Sequence, residues 1–277
     1  SAANPNSRDR PRKGALSKKD RIDEAKALLA SAQARIAYLE EENPGKSREK
    51  YEQALGIYRD LGRKEDVANT LVSLSRILDE LGEYREAIGH LEEALGIYKS
   101  MRDKLRIGNS LNFLGELLTV EGEYSRAETC LKEALMYQKE LEDKGGIAET
   151  FFNLGEVFEK IGEHNEARIF FHRAEQVYRR LDEASLVKTQ YTLGRIYSKL
   201  QRYGEALNFF EKTHDYYTDA GDKEGLAGSL FNIGVILGEL FEYDEAVDHL
   251  EESLRVFEEL DRKDGIAKSL NEGRIQA

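Results

Sequence analysis

The sequence holds no tryptophan, one cysteine and three prolines, the last of them Pro44. With Cys130 alone, no internal disulfide can form, and a reducing compartment is the simplest setting. No apolar run approaches the roughly 18 residues of a membrane span. Nor does a charged, apolar and small-residue succession at Ser1 mark a secretory leader. Together these absences predict a cytoplasmic chain with no membrane insertion. Beyond Pro44 the chain also lacks the residue that most disrupts helix interiors, so long helices are free to form.

Positive charge is scarce outside one end. The net charge is −12 over 277 residues, yet residues 1–21 carry seven Lys or Arg against Asp9 and Asp20, which leaves −17 for the remainder. So acidic a body argues against a nucleic-acid groove, where phosphate neutralisation supplies most of the affinity. The basic end, beside Pro5 and Pro11, reads as a flexible leader over 1–18. Charged residues make up 34% of the chain, above the usual quarter or so, which suits helices with much solvated surface.

What the sequence does have is a repeat. Residues 122–161 align without a gap on residues 82–121 at Gly122/Gly82, Glu123/Glu83, Tyr124/Tyr84, Ala127/Ala87, Leu131/Leu91, Ala134/Ala94 and Gly155/Gly115. Self-similarity at such a period means stacked copies of one supersecondary unit. Small residues recur at Ser75, Gly115, Gly155, Gly194 and Gly234, each followed twelve residues later by Ala87, Ala127, Ala167, Ala206 or Ala246. A glycine inside a helix costs roughly 1 kcal/mol relative to alanine. Its return at one phase predicts close backbone approach between packed helices.

Each copy reads as two helices. The first, as over 106–120, carries Ile107, Leu111, Leu114 and Leu118 on one face; the second, as over 124–141, carries Leu131, Ala134, Leu135 and Gln138. Neither can bury its apolar face alone. Gly-Glu-Tyr at 82–84 and 122–124 supplies the turn within a pair, and Asp143 and Asp222 offer N-caps. Ahead of the repeats, Ile22, Ala25, Leu28, Leu29, Ile36 and Leu39 mark a helix over 19–42. It stops at the breaker Asn43-Pro44-Gly45, and a second helix follows over 47–61. These two form a divergent capping hairpin over 19–65. Five repeat units follow over 66–265, then the start of a further, truncated helix over 266–277, whose stretch from Ser269 reads as another first helix one residue out of register. Its uncovered face offers a route to self-association.

The pattern Leu111, Leu114-Gly115, Leu118, Ala127, Leu131, Ala134 resembles the tetratricopeptide repeat. With 40 residues per unit instead of about 34 and no proline closing the second helix, it is similar to the long-repeat subclass of Pins-type adaptors, kinesin light chains and bacterial sensor arrays. The resemblance implies an all-α, right-handed superhelical solenoid of antiparallel helix pairs. It also implies a protein–protein interaction role, with the first helices lining a concave groove.

Catalysis finds little support. His90, His164, His172, His214 and His249 lie on second helices, without metal-ligand spacing. His90, Cys130, Phe170, Phe209 and His249 share one phase of successive copies, as scaffold positions do. Gly145-Gly146 lacks the lysine, serine and preceding strand of a phosphate loop. A non-enzymatic chain without cofactor or metal is therefore expected.

By resemblance, the groove-facing positions are Asn109, Asn112, Glu149, Phe152, Asn153, Glu156, Lys188, Tyr191, Arg195, Phe231 and Asn232. The asparagines can donate and accept hydrogen bonds, as an extended peptide backbone requires, and the aromatic row could seat side chains or close gaps between helices. Glu149, Glu156 and Glu159 face Lys188, Arg195 and Lys199 in the next copy, suited to a ligand of both signs or to pairing with one another. The carboxylate clamp of chaperone-binding members is not supplied at Val72/Arg76, Asn112/Glu116 or Phe152/Glu156. The expected function is a scaffold that binds an extended or helical peptide. The alternatives are a regulatory sensor within a larger signalling protein, or a self-assembling scaffold.

Overall fold

A computed structural model describes residues 17–39 and 42–276, and these contain thirteen α-helices and no strand. The fold is an all-α helical repeat. The basic leader falls outside the described residues, except for its last two. The chain divides into two compact units, Ser1–Ser110 and Leu111–Ala277.

The first unit contains α1 (Lys18–Leu39), α2 (Pro44–Asp60), α3 (Lys64–Glu80), α4 (Tyr84–Met101) and the start of α5 (Lys104–Val120). Ser17 and Asp20 form a reciprocal cap at the start of α1: the Asp20 N–H donates to Ser17 Oγ and the Ser17 N–H to Asp20 Oδ2, both at 3.1 Å. The face of α1 that packs is not the one the apolar stripe predicts. Ala27, Ala30, Ala34 and Ala37 are buried, whereas Ile22, Leu28, Leu29, Ile36 and Leu39 are 45–67% exposed. Small side chains let α1 approach its neighbour closely, and the larger ones are left on the outside.

Pro44 is also the beginning of a helix rather than a gap between two. Asn43 accepts from the Lys46 N–H at 2.9 Å, and Pro44 takes the first helical turn, where its missing N–H costs nothing. Further along, α3 meets α4 through Ser75, whose hydroxyl donates to the Leu71 carbonyl in its own helix and to the Ala87 carbonyl across the pair. Here the helices do approach backbone to side chain, as the small residue predicts.

The second unit holds the rest of α5 with α6 (Tyr124–Glu140), α7 (Lys144–Lys160), α8 (His164–Tyr178), α9 (Glu183–Lys199), α10 (Tyr203–Ala220), α11 (Lys223–Glu239), α12 (Tyr243–Glu259) and α13 (Lys263–Gln276). Its glycines are small for a more specific reason than backbone contact. The space above each is taken by the side chain sixteen residues on: Leu131 over Gly115, Phe171 over Gly155, Phe210 over Gly194 and Leu250 over Gly234. These side chains, with Ala167, Ala206 and Ala246, lie fully or nearly fully buried. Phe171 and Phe210 join Leu193, Ile196, Ile233 and Ile236 in one continuous core.

Helix ends follow a shared rule. After α7, Gly162 adopts φ +85°, and the Glu163 N–H reaches back to the Phe158 carbonyl at 2.9 Å, closing the helix with a left-handed residue. Gln201 and Phe241 occupy the same left-handed position without being glycine. Asp143, Asp182 and Asp222 cap α7, α9 and α11 through their carboxylates. The last helix starts at Lys263, forty residues after Lys223 opens α11 and three residues before position 266.

Candidate functional site

On α7, residues 145, 149, 152, 153 and 156 fall along one helical stripe, because steps of three and four return to the same face. On α9, 185, 188 and 189 do the same. These two stripes, with Glu116 of α5, Tyr178 at the end of α8, and Leu181 and Asp182 in the following loop, line a cavity of about 510 Å³. That volume is in the range of small-ligand and side-chain pockets.

Of the predicted groove residues, the cavity brings together Glu149, Phe152, Asn153, Glu156 and Lys188. Lys188 extends its ammonium over the Phe152 ring, 4.6 Å from the centroid. Phe152 in turn packs edge-on against Phe171, with centroids 5.2 Å apart. Burial raises the Glu156 carboxyl above its ordinary range, with Glu159 adding to the effect and Lys188, Lys160 and Arg195 opposing it. Burial likewise pushes the Tyr178 phenol up to about 12, reinforced by the negative charges of Glu149 and Asp182.

The asparagines behave differently from what an open peptide-binding wall would need. Asn112 is buried, and its Oδ1 accepts from Thr150 Oγ1 at 2.8 Å and from Asn153 Nδ2 at 3.2 Å. Thr150 is also 2.8 Å from Gln138 Oε1, so α5, α6 and α7 share one buried polar cluster. Asn232 spends its amide on the Tyr191 hydroxyl and the Gly228 carbonyl, each at 2.7 Å. Tyr191 packs edge-on against Phe210. Arg195 pairs with Glu159 at 3.1 Å, and Lys199 reaches the same oxygen at 2.6 Å, so these charges meet across adjacent helices. Tyr191, Arg195, Phe231 and Asn232 lie outside the cavity lining. Asn109 is an exposed residue of the first unit.

Sequence reasoning missed the second-helix contribution. Tyr178, Leu181 and Asp182 line the cavity, and nothing in the first-helix pattern points to them. It also missed a network beneath α8. The Glu175 carboxylate, 6% exposed, receives His172 Nδ1 at 3.0 Å, Arg179 Nη2 at 2.9 Å and Gln190 Nε2 at 3.3 Å. His172 Nε2 lies 2.8 Å from the Tyr197 hydroxyl. These hydrogen bonds, His172 foremost, hold the Glu175 carboxyl down to about 2 despite its burial. The i, i+3, i+7 spacing of His172, Glu175 and Arg179 was the available signal.

Among the described residues, no group of three or more His, Cys, Asp or Glu is arranged to hold a metal ion, and no helix is long and apolar enough to cross a membrane. Stacked helix pairs around an open, mixed-charge cavity define an interaction or regulatory repeat module, built on a fold that is generally a non-catalytic scaffold. The tetratricopeptide repeat family model matches residues 27–100, 106–180 and 185–259, and the chain belongs to that family. The match begins inside α1, so it takes in most of the N-terminal hairpin as well.

No curated protein sequence matches the chain. Among solved structures, it resembles a Rap protein complexed with competence and sporulation factor, with TM-score 0.66 and 17% identity over 91% of this chain and 74% of that one. It resembles a signal transduction ATPase with a tetratricopeptide repeat sensor from Pyrococcus horikoshii, with TM-score 0.72 and 14% identity over 94% of this chain and 38% of that one. Kinesin light chain repeats from Podosopora anserina give a TM-score of 0.59 at 17% identity, over 75% and 99% of the two chains. At these identities the likeness is one of fold.

Proposed function

We propose that this chain is a non-enzymatic cytoplasmic module that binds an extended or helical peptide segment of another protein in the cavity between α7 and α9. The observation that carries the reading is that cavity: Glu149, Phe152, Asn153, Glu156 and Lys188, five of the groove positions implied by family resemblance, line one opening of about 510 Å³. It offers apolar, acidic and basic contacts together, and the Rap structure is a case of this fold solved with a bound factor. Tyr191, Asn232 and Arg195 serve as its supporting wall, since their polar groups are already engaged within the chain.

Selection from a displayed peptide library against the intact chain tests the reading. Selected peptides should lose at least about tenfold in affinity against Glu149→Trp, which puts bulk at an exposed lining position of α7 and so obstructs the opening whatever the charge of the peptide. Failure to select any peptide, or equal binding to that variant, overturns it. A second reading, that the array is the sensor of a larger signalling protein, is favoured by the Pyrococcus horikoshii ATPase, of which this chain spans 38%. A ligand-dependent change in the activity of a longer native polypeptide would be its signature.

A further inference from the structure

The cavity between α7 and α9 presents mostly acceptors. Glu116, Glu149, Glu156 and Asp182 line it against the single ammonium of Lys188, which lies over Phe152. Asp182 already accepts two backbone N–H groups at the start of α9. Glu156 is different: among the described residues its carboxylate makes no hydrogen bond and no ion pair, although the residue is partly buried. A carboxylate partly withdrawn from water and given no donor is less well solvated than a free one, and an incoming cation offsets that cost.

A second and independent acceptor points the same way. Asn153 is 6% exposed and lines the cavity. Its Nδ2 is spent on Asn112, while its Oδ1 accepts from no donor among the described residues. Beside these oxygens stand the half-buried Tyr178 and the exposed Leu181, flat and apolar surface next to acceptors. A planar group with several N–H donors and a delocalised positive charge matches that combination; a single ammonium matches it less well.

Resting on the peptide-binding reading above, we propose that this cavity is the anchor for an arginine side chain of the partner, whose guanidinium donates to Glu156 and to Asn153 Oδ1 and lies against Tyr178. The acidic body of the chain, −17 beyond residue 21, favours approach of such a basic segment.

The test is a chemical-shift titration of the intact, isotope-labelled chain with four probes: N-acetyl-arginine N-methylamide, its citrulline and lysine counterparts, and free L-arginine. The capped arginine should give saturable shifts confined to α7, α9 and the 178–185 segment. Citrulline, nearly the same shape without the charge, should bind at least about tenfold more weakly, and lysine should fall between. Glu156→Gln, which removes a desolvated charge and so leaves the fold intact, should weaken capped arginine by a similar factor. Equal shifts with citrulline, no saturation with arginine, or indifference to Glu156→Gln would overturn the proposal. Tighter binding of free L-arginine than of the capped form would overturn its peptide origin. Library-selected peptides that lack a basic residue and ignore Glu156→Gln would remove the arginine anchor while leaving the groove reading intact.

Discussion

Phe171 occupies the space that a side chain at Gly155 would need: a methyl group built there would stand 2.8 Å from Cδ1 and Cε1 of the ring. Alanine at 155 gains roughly 1 kcal/mol of helix propensity. It meets a fully buried ring with no room to retreat, and overpacking of this kind costs about 1–3 kcal/mol. Gly155→Ala should therefore lower the denaturation midpoint. Gly89→Ala, where nothing lies within 4 Å, should raise the midpoint, through a gain of up to about 1 kcal/mol in stability. Urea titration of the two variants checks the contrast, and destabilisation of both would mean that the ring is not the cause.

The Glu175 network predicts an acid-sensitive contribution to stability. Its carboxyl is lowered to about 2 in the folded chain, so the unfolded state binds protons more readily between that value and the ordinary glutamate range. The stabilisation is then complete above about pH 5 and is lost as pH falls towards 2. At neutral pH Glu175→Gln should cost about 3 kcal/mol, with the gap from the parent chain closing in acid. A pH-independent gap in denaturant titrations would contradict this.

Glu156 carries the opposite sign. Its folded-state carboxyl is raised by burial, so the native state holds its proton more tightly and stability falls as pH climbs through and above the ordinary glutamate range. Glu156→Gln should be more stable than the parent at neutral pH and no more stable in acid. Melting curves at several pH values give the answer directly.

Asn153 and Asn112 qualify the use of alanine substitutions as probes of binding. Asn153→Ala removes a hydrogen bond at the edge of a buried cluster, a loss of about 1 kcal/mol, and Asn112→Ala strands more partners, at about 1–3 kcal/mol. Asn153→Ala combined with Asn232→Ala is therefore not silent towards the fold, as an open peptide-binding wall would allow. A lowered melting temperature should accompany any loss of partner binding.

Gln201 holds a left-handed conformation, φ +56°, where three earlier repeats place Gly82, Gly122 and Gly162. A non-glycine residue is strained there by roughly 1–2 kcal/mol. Gln201→Gly should recover about 1 kcal/mol despite its greater unfolded-chain entropy, measured as a shift in urea midpoint with an unchanged slope.

The sequence by itself determined the helical repeat, its period, the glycine and alanine phase and the aspartate caps. Each of these is local or recurs at a fixed spacing, and repetition makes a local rule visible. It also marked Glu149, Phe152, Asn153, Glu156 and Lys188, through the groove positions that resemblance to the tetratricopeptide repeat implies. The tertiary structure alone decided what fills the space above each glycine, since Leu131 and Phe171 are reached only when a second helix folds back. It alone turned the alanine face of α1 inward, because close packing there favours small side chains over the larger stripe that hydrophobicity singles out. Whether an asparagine faces a ligand or its own neighbours was likewise beyond the sequence. Asn112 and Asn153 sit at equally good groove positions, and only the placement of Thr150 across the helix pair draws one inward and leaves an oxygen of the other open.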